Sequence, residues 1–203
     1  MMTHVHSSNI RQYEAVLDGM FRDRKRVFVD LLKWDVPVVG DHERDQFDDE
    51  YAEYVIICDP ITGAHEGSMR LLRTDRPHIL GDLFPMLCEE GAPRGPQYRE
   101  LTRLCLSPRL KARHRLRVRN RLFTSLVEYG LMTGIIGYTG VAEMGWYQQL
   151  LALGWRCTPL GLPQKIGQDT LAALLAHVEV DTINLLRAAG TYDSGPIDLA
   201  QAA

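Results

Sequence analysis

The chain has 203 residues, of which 45% are hydrophobic and 24% are charged, and its formal net charge is −3. These values are ordinary for one globular domain, and the small net charge names no partner by itself. No apolar run reaches the ~18 residues that a membrane span needs, and the polar start carries no signal peptide, so we predict a cytoplasmic protein without a membrane span. The cysteines lack CxxC or Cys/His metal spacing and are expected to be free thiols in a reducing compartment. They are Cys58, Cys88, Cys105 and Cys157.

Hydrophobic periodicity and turn residues predict an alternation of helices and strands. Their order favours a single domain over residues 1–203, of the α/β (α+β) class, built around one mixed sheet. Residues 191–203 are rich in small residues and are expected to form a flexible tail. The amphipathic stretch Leu171–Leu186 fits either a helix or a strand. The other predicted elements, in chain order, are a helix over 9–33, a polar loop to about Glu50, strands Glu53–Cys58 and Glu66–Arg73, an irregular segment Arg76–Pro96, strand Tyr98–Leu106, helix Arg113–Thr133, strand Gly134–Gly140, helix Val141–Leu153 and strand Trp155–Leu160.

The predicted strand Tyr98–Leu106 carries two charged residues, Glu100 and Arg103, in an otherwise apolar context. Ionised groups inside a core strand must be paired, because an isolated charge out of water is costly. The most acidic segment of the chain, Asp41–Glu53, lies upstream, and the most basic segment, Arg109–Arg121, lies directly downstream. We therefore interpret the strand as the floor of a catalytic site, with the acidic loop on one side and the basic element on the other.

Further charged residues extend this pattern. Asp45 and Asp48 lie three residues apart, and a solvated turn or a metal site would explain them alone, although the EF-hand pattern is absent. Arg24 precedes the loop, and Arg70 takes a mid-strand position where an apolar residue is usual. Together with the charged pair in the strand, they are typical of a site for a zwitterionic ligand, because each ligand charge needs a counter-charge. The accompanying aromatic residues are Phe28, Trp34 and Phe84.

These nine positions closely resemble those of the acyl-homoserine lactone synthases, the LuxI-type autoinducer synthases of bacterial quorum sensing. The resemblance covers roughly residues 10–160. No single phrase is specific, but the order and the spacing of all nine positions agree with the family. The matching phrases are RxxxF at Arg24–Phe28, the tryptophan Trp34, DxxD at Asp45–Asp48, SMRLL at Ser68–Leu72, the phenylalanine Phe84 and ELTR at Glu100–Arg103.

The resemblance implies a GNAT-like acyltransferase fold, with a twisted mixed sheet splayed into a V-shaped cleft and flanked by helices. It also implies a reaction between S-adenosylmethionine and an acyl thioester of acyl carrier protein or coenzyme A, with no tightly bound cofactor and no metal. The methionine amine attacks the thioester carbonyl and forms an amide. The methionine carboxylate then attacks its own γ-carbon, which closes the lactone and releases methylthioadenosine.

The residue types suit this chemistry. The sulfonium and the ammonium of the substrate are positive and suit Asp45 and Asp48, whereas its carboxylate needs a cation. A free α-amine has a pKa near roughly 8, so a carboxylate base such as Glu100 suffices, directly or through water. Tyr54 is a weaker candidate for proton transfer. The resemblance gives Glu100, Arg103, Asp45, Asp48 and Arg70 as the catalytic set, and Arg24, Phe28, Trp34 and Phe84 as the S-adenosylmethionine-binding set.

The basic run suits an acidic acyl carrier protein or the phosphates of coenzyme A, with a solvated helix face as the alternative. The RxxGxG/A loop of ordinary coenzyme-A-dependent GNAT enzymes is absent, which favours a carrier-protein donor, although coenzyme-A-using members of the family also lack it. The candidate donor-binding residues are Arg109, Lys111, Arg113, Arg115 and Arg117.

Residues near the predicted strand Gly134–Gly140 bear on the acyl chain. Members that take 3-oxo chains often have a threonine at the start of the next helix. Here that region reads Val141-Ala142-Glu143 and the nearest threonine is Thr139, which argues against 3-oxo specificity. The residues that either line an acyl pocket or pack in the core are Met144, Trp146, Tyr147 and Leu150.

Two other functions compete with this interpretation: a GNAT-like N-acyltransferase with a different amine acceptor, and a nucleic-acid-binding module that uses the basic run. The run lacks interleaved aromatic residues and any recognition motif, so no nucleic-acid partner is predicted. The main hypothesis also predicts a backbone feature. On a regular strand Glu100 and Arg103 point to opposite faces, but the chemistry needs both near one ligand, so we expect an irregularity within Leu101–Leu106.

Overall fold

The computed structural model describes residues 2–199. None of the helices in that range is long and apolar enough to cross a membrane. The strands are β1 Met2–Val5, β2 Val38–Val39, β3 His42–Glu43, β4 Glu53–Cys58, β5 His65–Arg73, β6 Tyr98–Leu106, β7 Gly137–Glu143, β8 Cys157–Pro159, β9 Gln164–Ile166, β10 Asp169–His177 and β11 Ile197–Leu199. The helices are α1 Glu14–Arg24, α2 Ile79–Asp82, α3 Ala112–Thr133, α4 Met144–Leu151 and α5 Thr182–Ala188.

The chain is divided into two compact units. Unit 1 contains the described residues up to Leu71, the segment Arg103–Ser125 and the C-terminal segment from Asp193; unit 2 contains Leu72–Thr102 and Leu126–Tyr192. The chain therefore passes from one unit to the other inside β5, inside β6 and inside α3.

Unit 1 holds strands in the order β11-β1-β4-β5. Strand β1 pairs with β11 in parallel and with β4 antiparallel, and β4 pairs antiparallel with β5, so the sheet is mixed. Helix α3 packs close to β5, because a Cβ at Gly67 would lie 2.7 Å from Cγ1 of Val118. Glycine at this position permits the close approach.

The first helical stretch of unit 1 changes pitch twice. A 3-10 turn at Ile10–Tyr13 leads into α1, and a π-helical turn follows at Lys25–Leu31. The predicted helix over 9–33 is confirmed as one helical stretch with three pitches. Single π turns occur frequently at functional sites, and this one immediately follows Arg24.

Unit 2 holds strands in the order β6-β7-β10-β8, with β9 also paired to β10. Strands β6 and β7 are parallel, whereas β10 is antiparallel to its neighbours, so this part of the sheet is mixed as well. Its core includes Tyr138 and Trp155, whose rings meet edge to face at 5.8 Å. The predicted α/β class with a mixed sheet and flanking helices is confirmed.

The structure corrects one predicted element and resolves one stretch that the sequence left open. Strand β7 extends to Glu143, so the helix predicted from Val141 begins only at Met144. The ambiguous stretch from Leu171 contains both types, a strand to His177 and then helix α5. The flexible tail expected at residues 191–203 stays a prediction: Ile197–Leu199 form β11 and pair with β1, and residues 200–203 lie outside the described part.

Candidate active site

Six charged side chains of unit 1 form a closed ring in which arginines and carboxylates alternate. Each guanidinium contacts two carboxylates, and each carboxylate contacts two guanidiniums. The six carry three positive and three negative charges, so the ring is neutral. The order around the ring is Arg24, Glu43, Arg103, Asp45, Arg70 and Asp48, which contacts Arg24 again.

The contacts around the ring are short and well directed. Arg24 donates from Nε to Glu43 Oε2 at 2.6 Å and holds both oxygens of Asp48 at 2.8 Å. Arg70 holds both oxygens of Asp45, at 2.6 and 3.0 Å, and its Nη1 lies 3.0 Å from Asp48 Oδ2. Bidentate pairs of this kind are the strongest ion pairs that proteins form, because they fix orientation as well as distance.

Arg103 closes the ring. It donates from Nε to Glu43 Oε1 at 3.0 Å and from Nη2 to Asp45 Oδ2 at 2.6 Å. Its backbone has φ 54°, which lies in the left-handed region that a non-glycine residue seldom adopts. The predicted irregularity within Leu101–Leu106 is thereby confirmed at Arg103.

Burial is uneven around the ring. The side chains of Arg24, Glu43, Asp48 and Arg70 are at most 1% exposed, whereas Asp45 is 10% and Arg103 is 11% exposed. The two exposed members are also neighbours in the ring. The ring therefore offers one edge to solvent, and that edge presents an anion and a cation side by side.

Two of the buried ring members, Asp48 and Arg24, have strongly shifted pKa values. Burial by itself would raise the pKa of Asp48, but the hydrogen bonds and charge of Arg24 and the charge of Arg70 hold it far below its usual range. Burial likewise opposes the charge on Arg24, yet Asp48 and Glu43 raise the pKa of this arginine. Asp48 and Arg24 are consequently ionised near neutral pH.

Local structure positions the acidic members. In the turn between β3 and β4, the Asp45 N–H donates to Asp48 Oδ2 at 2.9 Å, and the Phe47 N–H donates to Asp45 Oδ1 at 2.9 Å. The Tyr54 hydroxyl donates to Asp48 Oδ1 at 2.9 Å. Burial and the adjacent Asp48 charge raise the pKa of Tyr54, so the hydroxyl stays protonated and acts as a donor within the ring.

Two stacked aromatic rings lie beside the exposed edge. Phe28 follows Arg24 by four residues on the π turn, and Lys33, two residues beyond the end of the turn, has φ 60°. The chain then returns, so that the Trp34 N–H donates to the Phe28 carbonyl at 2.8 Å and the two rings stack at 4.8 Å. The Arg103 guanidinium lies 5.8 Å from the Phe28 ring centre and 5.9 Å from that of Trp34. Trp34 is 43% exposed and offers its surface to a ligand.

Sequence reasoning missed Glu43. It balanced the three arginines with Asp45, Asp48 and Glu100, whereas the third carboxylate of the ring is Glu43, which is fully buried at the end of β3. One feature of the sequence could have identified Glu43. Three arginines need three carboxylates, and Glu43 lies in the acidic segment two residues before Asp45.

The predicted base, Glu100, belongs to unit 2. It is fully buried in β6, and its Oε1 accepts a hydrogen bond from the Leu80 N–H at 2.8 Å. Phe84, predicted to bind S-adenosylmethionine, is half-buried in unit 2 and packs against an apolar cluster formed by Leu80, Leu87 and Ala173. Val141 also packs against this cluster.

The residues predicted to line an acyl pocket lie on α4, outside that cluster. Tyr147 is buried, whereas the other three are half-buried. The residues packed against the apolar cluster come instead from α2, the segment 84–92 and strands β7, β9 and β10. The other α4 residues of the predicted set are Met144, Trp146 and Leu150.

The basic run divides into residues with contacts to other parts of the fold and exposed residues without such contacts among the described residues. Arg109 binds both oxygens of Asp23, at 2.9 and 3.0 Å, and the carbonyl of His65. Arg115 donates to the carbonyl of Leu106 at 3.2 Å. These two predicted donor-binding residues therefore have structural contacts. Arg109 is exposed despite its contacts. The other exposed members of the predicted set make no side-chain hydrogen bond or ion pair with a described residue, and they are Lys111, Arg113 and Arg117.

Metal ligands and disulfides do not feature in the described residues. No group of three or more His, Cys, Asp or Glu side chains there is arranged to hold a metal ion. All four cysteines are free thiols, and burial raises the pKa of Cys58 to about 11 and that of Cys105 to about 12.

Comparison with known proteins decides the family. The family model described as autoinducer synthase matches residues 8–187. The chain belongs to the autoinducer synthase family. It is 33% identical over 174 residues to an acyl-homoserine-lactone synthase of Rhizobium etli, which covers 84% of this chain and 81% of the relative. It is 32% identical to one of Ralstonia nicotianae, over 90% and 91% of the two chains.

Solved structures agree with this membership. The coenzyme-A-dependent acyl-homoserine lactone synthase MesI aligns with a TM-score of 0.86 and 28% identity, over 98% of this chain and 100% of that chain. The coenzyme-A-dependent synthase BjaI, solved with S-adenosylmethionine and isopentyl-coenzyme A, aligns with a TM-score of 0.87 and 25% identity, over 98% and 93%. An N-acetyltransferase fold at 15% identity and a TM-score of 0.55 supports the GNAT-like fold alone. The resemblance read from the sequence, including its GNAT-like fold, is confirmed.

Proposed function

We propose that this autoinducer synthase transfers an acyl group from an acyl thioester to the amine of S-adenosylmethionine and then closes the lactone, releasing methylthioadenosine. The observation that carries the proposal is the exposed edge of the charged ring, where Asp45 and Arg103 lie 2.6 Å apart beside the stacked aromatic pair. A methionine moiety has an ammonium and a carboxylate on one carbon, and this edge offers a partner to each.

The ring residues have different tasks in this proposal. Asp45 faces the ammonium and Arg103 faces the carboxylate, because only these two ring members are exposed beyond 1%. Arg24, Glu43, Asp48 and Arg70 hold the exposed pair in place. Their contacts form before substrate binds, so little reorganisation is needed when it arrives.

The aromatic pair suits the remainder of S-adenosylmethionine. A sulfonium is attracted to the face of an aromatic ring, and an adenine stacks on one. Trp34 has the exposed face, and Phe28 supports it from below at 4.8 Å. Phe84 belongs to the same proposed set, as its position in the family's motif suggests.

Glu100 is the proposed general base. The hydrogen bond from the Leu80 N–H fixes the orientation of its carboxylate, and burial excludes competing water. The amine needs only a modest base because its free pKa lies near roughly 8.

The acyl donor is proposed to approach the exposed basic residues at the start of α3. Arg113 and Arg117 are one helical turn apart and share a face, and Lys111 precedes the helix. An acyl carrier protein and coenzyme A are both anionic and both suit these charges. This chain is similar to two coenzyme-A-dependent synthases, which is a reason to test acyl-coenzyme A as the donor first.

We further propose that both units act as one autoinducer synthase domain, since the family match spans them. A cytoplasmic location is part of the proposal, because free thiols persist in a reducing compartment.

The decisive experiment incubates the purified protein with S-adenosylmethionine and a panel of acyl-coenzyme A and acyl carrier protein thioesters. Release of methylthioadenosine together with an acyl-homoserine lactone, identified by mass spectrometry, supports the proposal. Acyl transfer to other amines without methylthioadenosine would favour a different N-acyltransferase. Absence of both products with every donor would refute an acyltransferase function of either kind.

A further inference from the structure

Thr139 of unit 2 lies directly opposite the proposed base. Strands β6 and β7 run parallel, and Glu100 pairs in register with Thr139. Residues in register on neighbouring strands present their side chains to the same face of a sheet. Both residues are fully buried.

The Thr139 hydroxyl makes no hydrogen bond to any other described residue. Buried hydroxyls are nearly always bonded, because an unsatisfied one loses its hydration without compensation. Thr182 of the same unit is equally buried, but its hydroxyl accepts the N–H of Glu179 at 2.9 Å. The fold therefore uses the Thr182 hydroxyl and does not use the one on Thr139.

An apolar cluster packs against the same face of β7 two residues beyond Thr139. Val141 follows by two residues on β7, so it shares the face of Thr139, and it packs against the cluster of Leu80, Leu87 and Ala173. Leu80 is also the residue whose N–H holds Glu100. The Thr139 hydroxyl and the oriented Glu100 carboxylate thus lie on neighbouring strands beside an apolar cluster.

We propose that Thr139 is a further catalytic residue of the acyl transfer, which orients the attacking amine together with Glu100. The inference rests on the proposed function. The carboxylate of Glu100 removes one proton from the ammonium, and the Thr139 oxygen accepts a hydrogen bond from a second N–H. This leaves the nitrogen lone pair directed at the thioester carbonyl, the C–N bond forms as the C–S bond breaks, and the remaining surplus proton leaves with the thiolate.

The substitution T139V distinguishes a catalytic role of the Thr139 hydroxyl from a role in packing alone. Valine has the shape of threonine without the hydroxyl, so it preserves packing and removes an unsatisfied polar group. If the hydroxyl serves catalysis, T139V is at least as stable as the wild type but is slower. If threonine serves only the fold, T139V keeps its turnover.

The experiment compares T139V, T139S, T182V and E100Q with the wild type, using methylthioadenosine release for kcat and KM and thermal denaturation for Tm. We expect T139V to keep or raise Tm and to lose about 10-fold or more in kcat, the usual effect of removing one positioned group. T139S retains the hydroxyl and should keep kcat within about 3-fold of the wild type. T182V should lower Tm and keep kcat.

Several outcomes overturn the inference. Wild-type kcat in T139V would do so, as would failure of T139V to fold, since either result assigns the residue to packing. Loss of kcat in T139S equal to that in T139V would also exclude the hydroxyl. If E100Q loses activity and T139V keeps wild-type kcat, the proposed function stands but the catalytic role of Thr139 is rejected. A wild type that forms no lactone rejects the proposed function itself.

Discussion

At the scale of the residue, the loss of stability on substituting a ring member depends on how deeply that residue is buried. Asp48 is buried and receives hydrogen bonds from Arg24, Tyr54 and the Asp45 backbone, whereas the Asp45 side chain is at the exposed edge. Removing one partner of a buried ion pair leaves the other charge without compensation. The inner members are therefore needed by the fold, and the proposal assigns the more exposed pair, Asp45 and Arg103, to the substrate.

Asp45→Asn and Asp48→Asn should consequently fail in different ways. We expect Asp48→Asn to lower the free energy of unfolding by ~3–5 kcal/mol, the usual cost of breaking a buried pair. Asp45→Asn should remain folded and raise the KM for S-adenosylmethionine roughly 30-fold or more, because a charge partner of the ammonium is lost. Urea denaturation and initial rates measure the two effects. Normal kinetics in Asp45→Asn would remove this residue from the proposed mechanism.

The same carboxylates predict the acid sensitivity of the protein. Burial opposes ionisation of Asp45 and Asp48, but their arginine partners lower the pKa of each below the usual 3.8. A carboxyl with a lowered folded-state pKa stabilises the fold above its unfolded pKa, and the contribution is lost as pH falls through the folded-state pKa.

The free energy of unfolding should therefore be steady with respect to these groups above about pH 5 and should fall below about pH 4. Urea denaturation across this range measures it. Asp45→Asn serves as the matched control, because it removes one of the titrating groups and should make the acid decline shallower. An equal slope in both proteins would assign the decline to other carboxyls.

At the scale of the element, the basic run that leads into helix α3 contains both charges with structural contacts and exposed charges. Arg109 and Arg115 bond Asp23 and main-chain carbonyls, whereas three other basic residues have exposed side chains. The joint substitution of Lys111, Arg113 and Arg117 by glutamine should raise the donor KM about 3- to 10-fold at low salt and leave the KM for S-adenosylmethionine unchanged.

The control is Arg109→Gln with Arg115→Gln, which should lower Tm and leave the donor KM near that of the wild type. Salt offers a second measure, since the wild-type donor KM should rise with ionic strength and the triple variant should respond less. A donor KM independent of salt in the wild type would identify the exposed residues as a solvated face only.

At the scale of the whole molecule, the C-terminal segment completes the sheet of unit 1. Arg121 on α3 donates to the carbonyls of Asp193, Gly195 and Pro196, and β11 pairs with β1. The Asp193 N–H donates to the Thr124 hydroxyl at 3.0 Å. A chain end that looks dispensable by composition is therefore held by several hydrogen bonds.

Arg121→Gln should lower the free energy of unfolding by about 1–3 kcal/mol, because carbonyls lose a charged donor. It should also speed limited proteolysis within residues 190–196. Arg119→Gln is the matched control, since Arg119 bonds only the adjacent Asn120 among its described contacts and should show neither effect. Equal proteolysis of the two variants would mean that strand pairing alone holds the segment.

The sequence by itself determined the family and the mixed α/β class. It also determined seven of the eight positions that form the ring and the stacked aromatic pair in unit 1, because charged residues in apolar strands and helices need partners. The seven are Arg24, Phe28, Trp34, Asp45, Asp48, Arg70 and Arg103. It also located the backbone irregularity near Arg103, since strand alternation makes a regular geometry incompatible with the chemistry.

Only the tertiary structure decided which charges pair. Arg103 meets Glu43 across 60 positions of sequence, and Arg109 meets Asp23 across 86. Which charges pair depends on burial and on distances that exist only after the strands assemble. The spacing of residues along the sequence gives no information on either. For the same reason, the basic run is uniform in sequence, yet Arg109 pairs with Asp23 and Arg113 has no side-chain partner among the described residues.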